Sequence, residues 1–214
     1  MARPVRVVGL GGSLRAASTS RTALQAALDG AAADGADTQL IWVRDLELPL
    51  YTAERAIPVA AHQLADTAYR CDAMIWSSPT YHGSVSGSFK NALDWLILLA
   101  QRDPPYLSNK PVGLVATAGG VQGLQAVNSM DFIARALRAW SVPLVLPVPQ
   151  SWHSFDPDGQ LTDQAIAAQL RALGAEVARA ARQFQAEGTC DYAEDRQFQA
   201  VGSPAEPKAG RPGT

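Results

Sequence analysis

Apolar residues follow two alternating patterns along the chain. Short β-branched runs, apolar on both sides, occupy Val5–Leu10, Thr38–Val43, Ala73–Ser78, Pro111–Ala118 and Pro143–Val148. Between and after them, apolar residues return every third or fourth position, over Thr19–Ala33, from Pro58 to Arg70, and over Gly87–Gln101, Leu124–Trp140 and Asp163–Ala186. The first set predicts strands and the second helices. Several strands lack period-two alternation, which marks a parallel sheet covered by helices on both faces. Strand–helix alternation this regular implies right-handed βαβ units and an open, doubly wound α/β sheet. Such sheets bind ligands beyond the carboxyl ends of their strands, where the strand order reverses. The loops after strands one, three and four are therefore the places to look for chemistry. No internal repeat is present.

Length and charge narrow the classes. The 214 residues suit one domain over 1–187, followed by a Gly- and Pro-rich tail over 188–214 that has no periodicity and reads as partly disordered. The net charge of -2, with no basic cluster, excludes a nucleic-acid or anionic-membrane binder and offers no acidic face for docking a redox partner. The apolar runs are too short for a membrane span or a signal peptide. Cys71 and Cys190 lie far apart with no C-x-x-C spacing, which fits a soluble protein of the reducing cytoplasm.

The first loop, GLGGSLRAASTSR, has glycines at 9, 11 and 12, but Leu14 stands where a dinucleotide fingerprint needs Gly or Ala. The Gly-Lys-Ser/Thr of a P-loop is also missing. What remains is a glycine turn, then Ser13, Arg15, Ser18, Thr19 and Ser20 at the start of a helix. Free N–H groups and the positive helix end favour an anion there, and the hydroxyls and the arginine complete a cage for a phosphate monoester. One of Ser18, Thr19 and Ser20 is expected to be the N-cap. The third loop, SSPTYHGSVSG, carries Pro79, expected to end the strand; Tyr81 and His82, with ring faces; Gly83; and Ser86, a candidate N-cap. The fourth leaves its strand through Thr117, Ala118, Gly119 and Gly120, small residues that make room for a planar ring. In the third helix, Phe89, Ala92, Leu93, Leu96, Ile97 and Ala100 form a core stripe. Trp95, Leu98 and Leu99 form a second apolar face, expected to meet another subunit.

These residues resemble a known family. GGSLRAASTSR is similar to the phosphate loop of the NADPH-dependent FMN reductases, commonly G-S-x-R-x-x-S. SPTYHGSVSGSFKNALDWL is similar to that family's P-x-Y-x-G-S-x-S-G-x-x-K-N-x-x-D-W-L segment. The resemblance covers roughly residues 5–185. It implies a flavodoxin-like five-stranded sheet of order 2-1-3-4-5, bound FMN, and a homodimer or homotetramer. It further implies that Ser13, Arg15 and Ser20 hold the FMN phosphate, with Ser18 and Thr19 nearby. Pro79, Thr80, Tyr81, His82 and Gly83 would line the ring, and Gly119 and Gly120, reached through Thr117, would lie beside its other edge. His82 departs from the asparagine frequent in the family, so a side-chain contact is not carried over there. The loop Leu46–Val59 resembles the family's D-L-P-L-Y loop and is expected to cover the site from one side.

The implied activity is hydride transfer from NADPH or NADH through FMN to a small acceptor. That acceptor would be free flavin, with a partner monooxygenase to consume it, or a quinone, an azo dye or a metal oxyanion. The alternatives are a quinone or azo reductase with permanently bound FMN and a non-enzymatic electron carrier. A phospho-receiver domain would need acidic residues where GGSLR and SSPTY stand. The sequence shows no catalytic triad, carboxylate pair or metal-ligand cluster, as expected where the cofactor carries the chemistry. Arg55, Arg102 and His153 are the candidates for a 2′-phosphate of NADPH.

Overall fold

The computed structural model describes residues 3–54 and 56–186, so Arg55 and the tail over 188–214 lie outside the described residues. The apolar runs form one sheet of β1 (Arg6–Gly11), β2 (Asp37–Trp42), β3 (Ala73–Tyr81), β4 (Ser84–Val85), β5 (Pro111–Thr117) and β6 (Trp140–Val148). The neighbours run β2-β1-β3-β5-β6, all parallel, with β4 paired antiparallel to β3. Counted among themselves, the five parallel strands stand in the expected order 2-1-3-4-5.

The helices are α1 (Thr19–Ala33), α2 (Val43–Leu46), α3 (Val59–Arg70), α4 (Gly87–Asp94), α5 (Gly123–Ala136) and α6 (Gln164–Ala186). α1 and α6 cover one face of the sheet, over Val7, Ala73, Ile75 and Val115. α3, α4 and α5 cover the other, over Val8, Met74, Trp76 and Leu114. Alternate residues of one strand thus enter two separate cores, which is why the strands read as continuous apolar runs. At the amino ends of the strands, the buried Lys110 donates from Nζ to the Cys71 carbonyl at 2.6 Å. This polar contact lies at the end of the sheet away from the ligand loops.

Three details differ from the sequence expectation. Pro79 does not end its strand: it pairs with Thr117 in the parallel ladder, and β3 runs on to Tyr81. Proline's fixed φ suits an extended strand near its end, where a ladder donor can be missing. The fourth major helix stops at Ala136 instead of Trp140, because Arg138 takes a positive φ of 63° and releases the chain into β6.

The helix after strand three also winds differently. It is α-helical only to Asp94 and tightens into a 3₁₀ segment, Trp95–Leu99. Three residues per turn instead of 3.6 re-aims the side chains. Trp95, Leu96 and Leu99 become fully buried, while Ile97, assigned to the core stripe, is exposed. Trp95 Nε1 donates to the Pro49 carbonyl at 3.1 Å, and its ring meets Tyr51 edge-on at 5.2 Å. Of the face expected to meet another subunit, Trp95 is thus covered by the chain's own loop, while Leu99 lies in the core cluster and Leu98 packs against it.

Candidate functional site

The loop after β1 is tied down from three sides. The Gly12 N–H donates to the Ser77 carbonyl at 2.8 Å, while the Gly12 carbonyl accepts from Ser86 Oγ at 2.5 Å and Ser88 Oγ at 2.8 Å. Ser77 Oγ donates to the Ser20 carbonyl, and Trp42 Nε1 donates to the Ser13 carbonyl at 2.5 Å. Ser18 is the N-cap of α1, its Oγ accepting from the Arg21 N–H. The same hydroxyl lies 3.0 Å from Ser20 Oγ. Ser13, Ser18 and Ser20 are all buried, and Ser13 Oγ accepts from the Arg15 N–H.

This hydroxyl cluster faces a surplus of donors. Among the described residues, the main-chain N–H groups of Leu14, Ala16, Ala17 and Ser18 make no hydrogen bond. Those of Thr19 and Ser20 stand in the first turn of α1, where no intrahelical acceptor exists. The Arg15 side chain is exposed beside them and makes no hydrogen bond or ion pair among the described residues. Such a concentration of unpaired donors at a helix start suits an anion. A hairpin bounded by the Phe155–Leu161 bridge backs the cradle: the Gly159 carbonyl accepts from Thr22 Oγ1 at 2.8 Å.

The second half of the site is a cavity of about 590 Å³ between the ends of β3 and β5. It is lined by Thr80, His82 and Gly83 on one side and by Ala118, Gly119 and Gly120 on the other, with Gln122 and Gln125 at its edge. Thr19 Oγ1 donates to Thr117 Oγ1 at 3.3 Å and joins the two halves. Thr80 Oγ1 is buried without a hydrogen-bond partner. An unsatisfied buried hydroxyl costs roughly 1–3 kcal/mol, so a hydrogen bond to this one would be stabilising. Tyr81 lies half-exposed at the rim.

His82 and Gly83 form the two-residue loop between β3 and β4 and have φ values of 49° and 78°. Positive φ at both central residues is what a type I′ hairpin requires, and Asn-Gly satisfies it best. His is among the residues enriched at positive φ. The asparagine common at this position in the resembled family therefore answers a backbone demand that histidine also meets. His82→Asn is expected to preserve ligand affinity and raise stability by a few tenths of a kcal/mol, whereas His82→Val should lose about 1–2 kcal/mol. Urea denaturation of the two variants checks this.

Sequence reasoning missed Trp42, Gln122, Gln125 and Trp152. Trp42 carries the Arg21 and Arg44 guanidinium carbons 4.8 and 5.3 Å from its ring centroid, beside the anion cradle. No local motif marks it; only the pairing of β2 with β1 brings it there. Gln125 Oε1 would stand 3.6 Å from a Cβ on Gly83, beside the hairpin. Among its described residues, the loop Leu46–Val59 contributes none to the cavity lining. Asn91 holds it against α4 by donating to the Pro49 carbonyl and accepting from the Tyr51 N–H. It borders a separate cavity of about 560 Å³ beside Leu14. Arg102 is bound to Asp66 at 2.6 Å and Tyr69, while His153 lies near Gly119 through its neighbour Trp152. Burial pushes the Cys71 thiol up to about 11, so it is no nucleophile at neutral pH. No group of three potential metal ligands occurs among the described residues. No described helix is long and apolar enough to cross a membrane.

Comparison with known proteins agrees with this fold. The structure is similar in fold to the flavoenzyme NAD(P)H:acceptor oxidoreductase FerB of Paracoccus denitrificans, with a TM-score of 0.68 at 20% identity over 84% of this chain and 98% of that one. An archaeal flavodoxin gives 0.59 at 14% identity over 83% and 99%. In sequence, the NADPH-dependent FMN reductase ArsH of Shigella flexneri is 29% identical over 75% of this chain, which spans 62% of that relative's length. An NAD(P)H-dependent FMN reductase of Pseudomonas aeruginosa is 29% identical over 81% of this chain and 95% of its own length. Residues 5–153, well over half of the chain, match the profile of the family described as NADPH-dependent FMN reductase, and the protein belongs to that family.

Proposed function

We propose that the site holds FMN and that the protein is an NAD(P)H-dependent oxidoreductase passing electrons to a small acceptor, with free flavin as the first choice. The observation that supports this best is the joined pair of half-sites: a cradle of unpaired donors for a phosphate, opening on a cavity whose one buried hydroxyl, Thr80 Oγ1, has no partner. Ser13, Arg15, Ser18, Thr19 and Ser20 would take the phosphate. Pro79, Thr80, Tyr81, His82 and Gly83 would flank one side of the ring, and Thr117, Gly119 and Gly120 the other.

FMN, when bound, supplies the hydride-accepting and hydride-releasing centre between NAD(P)H and the acceptor. The chain's own residues have to bind, orient and shield. Cradle and cavity are linked through Thr19 and Thr117, so gripping the phosphate also fixes where the ring end lies. Main-chain N–H groups and the Thr80 hydroxyl offer dipoles without a titrating side chain. Preorganised dipoles of this kind stabilise developing negative charge with little rearrangement. For a quinone the balance is NAD(P)H plus a proton plus quinone giving NAD(P)+ plus hydroquinone.

A second reading, a quinone or azo reductase that keeps its FMN, is favoured by named relatives. An NADPH:quinone oxidoreductase of Arabidopsis thaliana is 28% identical over 79% of this chain, and an FMN-dependent NADPH-azoreductase of Staphylococcus aureus is 34% identical over 51%. The readings divide on turnover. With NADPH, the first expects fast reduction of free FMN; fast menadione or azo-dye reduction without it would establish the second. Failure of the apoprotein to bind FMN would sink both. Thr80→Val is expected to stabilise the apoprotein by about 1 kcal/mol and to weaken FMN binding about fivefold.

A homodimer built on the face around Leu14, Leu50 and Tyr51 is part of the proposal, supported by the exposure of these residues beside the second cavity. The buried free thiol of Cys71 supports placement in the reducing cytoplasm.

A further inference from the structure

We infer that Trp152 is the surface on which the electron acceptor stacks, and that the acceptor presents a flat, uncharged ring, as the isoalloxazine of free flavin and a quinone both do. This rests on the reading of the cavity as an FMN site. Trp152 lies in a single 3₁₀ turn, Ser151–His153, directly after β6. Because β6 runs parallel beside β5, this turn emerges at the same edge as the Ala118–Gly120 loop.

The turn is held there by main-chain bonds. The Ala118 N–H donates to the Val148 carbonyl, the Gln150 N–H to the Gly120 carbonyl and the Ser151 N–H to the Ala118 carbonyl, each at 2.9 Å. Gln150 adopts a positive φ of 45° to make this path. A non-glycine residue in that region is uncommon and stores conformational cost. The result is an indole at a fixed place beside the cavity wall. Trp152 Cζ3 lies 3.8 Å from where a Cβ on Gly119 would stand, so the bare glycine leaves the indole as the nearest side chain. The ring of His153 meets it edge-on at 5.7 Å.

An indole packed this way would ordinarily be covered, yet Trp152 is 58% exposed. Tyr81, Val121 and Leu124, beside the lining residues in sequence, are exposed as well. A large aromatic side chain held beside a cavity wall yet left exposed marks a surface that a ligand covers. Among the described residues, the lining contains no lysine or arginine. A metal oxyanion would therefore meet no fixed cation there, whereas a flat uncharged ring would meet an aromatic face and a glycine floor. Offset stacking on an aromatic ring favours such a partner beyond simple burial.

The test compares menadione with ferricyanide, a compact inorganic acceptor that needs no stacking surface, on FMN-loaded wild type, Trp152→Ala and Trp152→Phe. Trp152→Ala should raise the KM for menadione about tenfold, leaving kcat and KM for ferricyanide, KM for NADPH and FMN affinity within twofold. Trp152→Phe should restore most of the loss. Calorimetric binding of menadione to the oxidised, FMN-loaded protein should show the same tenfold change without turnover. Unchanged menadione affinity in Trp152→Ala, or an equal loss for ferricyanide, NADPH or FMN, would overturn the assignment to Trp152 alone. Absence of FMN binding, or of NADPH oxidation with every acceptor, would instead overturn the FMN reading and this inference with it.

Discussion

Arg15→Ala is expected to lower FMN affinity by about 30-fold while leaving riboflavin affinity unchanged. The two ligands share the ring and differ in the phosphate, so their ratio isolates the cradle. Arg15 follows the buried Ser13 hydroxyl that accepts from its own N–H, and its side chain is exposed beside the unpaired N–H groups of Leu14, Ala16, Ala17 and Ser18. A charge-assisted hydrogen bond at such a place contributes about 1.5–3 kcal/mol, or roughly 10- to 150-fold. The arginine has no competing partner among the described residues, so its removal should leave the apoprotein's stability unchanged. Fluorescence titration of apoprotein with each ligand reads the outcome. Equal losses for FMN and riboflavin would place Arg15 at the ring, and no loss at all would remove it from the site.

Gly174→Ala should destabilise the protein by about 3–4 kcal/mol, the largest effect expected of any single added methyl group here. α1 and α6 cross so closely that a Cβ on Gly174 would sit 1.8 Å from the Ala27 carbonyl oxygen and 2.7 Å from the Ala31 N–H nitrogen. A Cβ on Gly30 would likewise meet the Arg171 backbone at 2.1 Å. Both obstacles are main chain, which cannot rotate away as a side-chain tip can, so the helices must separate. That opens the core over Val7, Ile75 and Val115. Because α1 also carries the anion cradle at its start, FMN affinity should fall with stability. Gly87→Ala is the control, since nothing lies within 4 Å of its Cβ position. In urea, the midpoint should drop for Gly174→Ala with an unchanged m value and hold for Gly87→Ala. Equal midpoints for the two variants would refute the close crossing.

Much of the fold was legible because local chemistry and tertiary structure agree. Double-sided apolar runs marked the parallel strands, and hydroxyls before apolar periodicity marked the starts of α1 and α4, capped by Ser18 and Ser86. The expected site residues also fall in two adjoining groups, because loops at the carboxyl ends of neighbouring strands must converge. Where reading failed, a non-local interaction decided. The switch to 3₁₀ winding at Trp95 follows from the Pro49 carbonyl and Tyr51, residues more than forty positions earlier in the chain. Trp152 carried no motif of its own.

The sequence alone determined the strand and helix order, the doubly wound class, and the glycine- and hydroxyl-rich loops that hold the candidate chemistry. These depend on short-range periodicity and on backbone demands that few residue types meet. Tertiary structure alone decided that Trp95 is covered by the chain's own loop, which buried hydroxyls lack a partner, and which aromatic ring stands beside the cavity wall. Those depend on contacts between residues far apart in the chain, for which no local pattern exists.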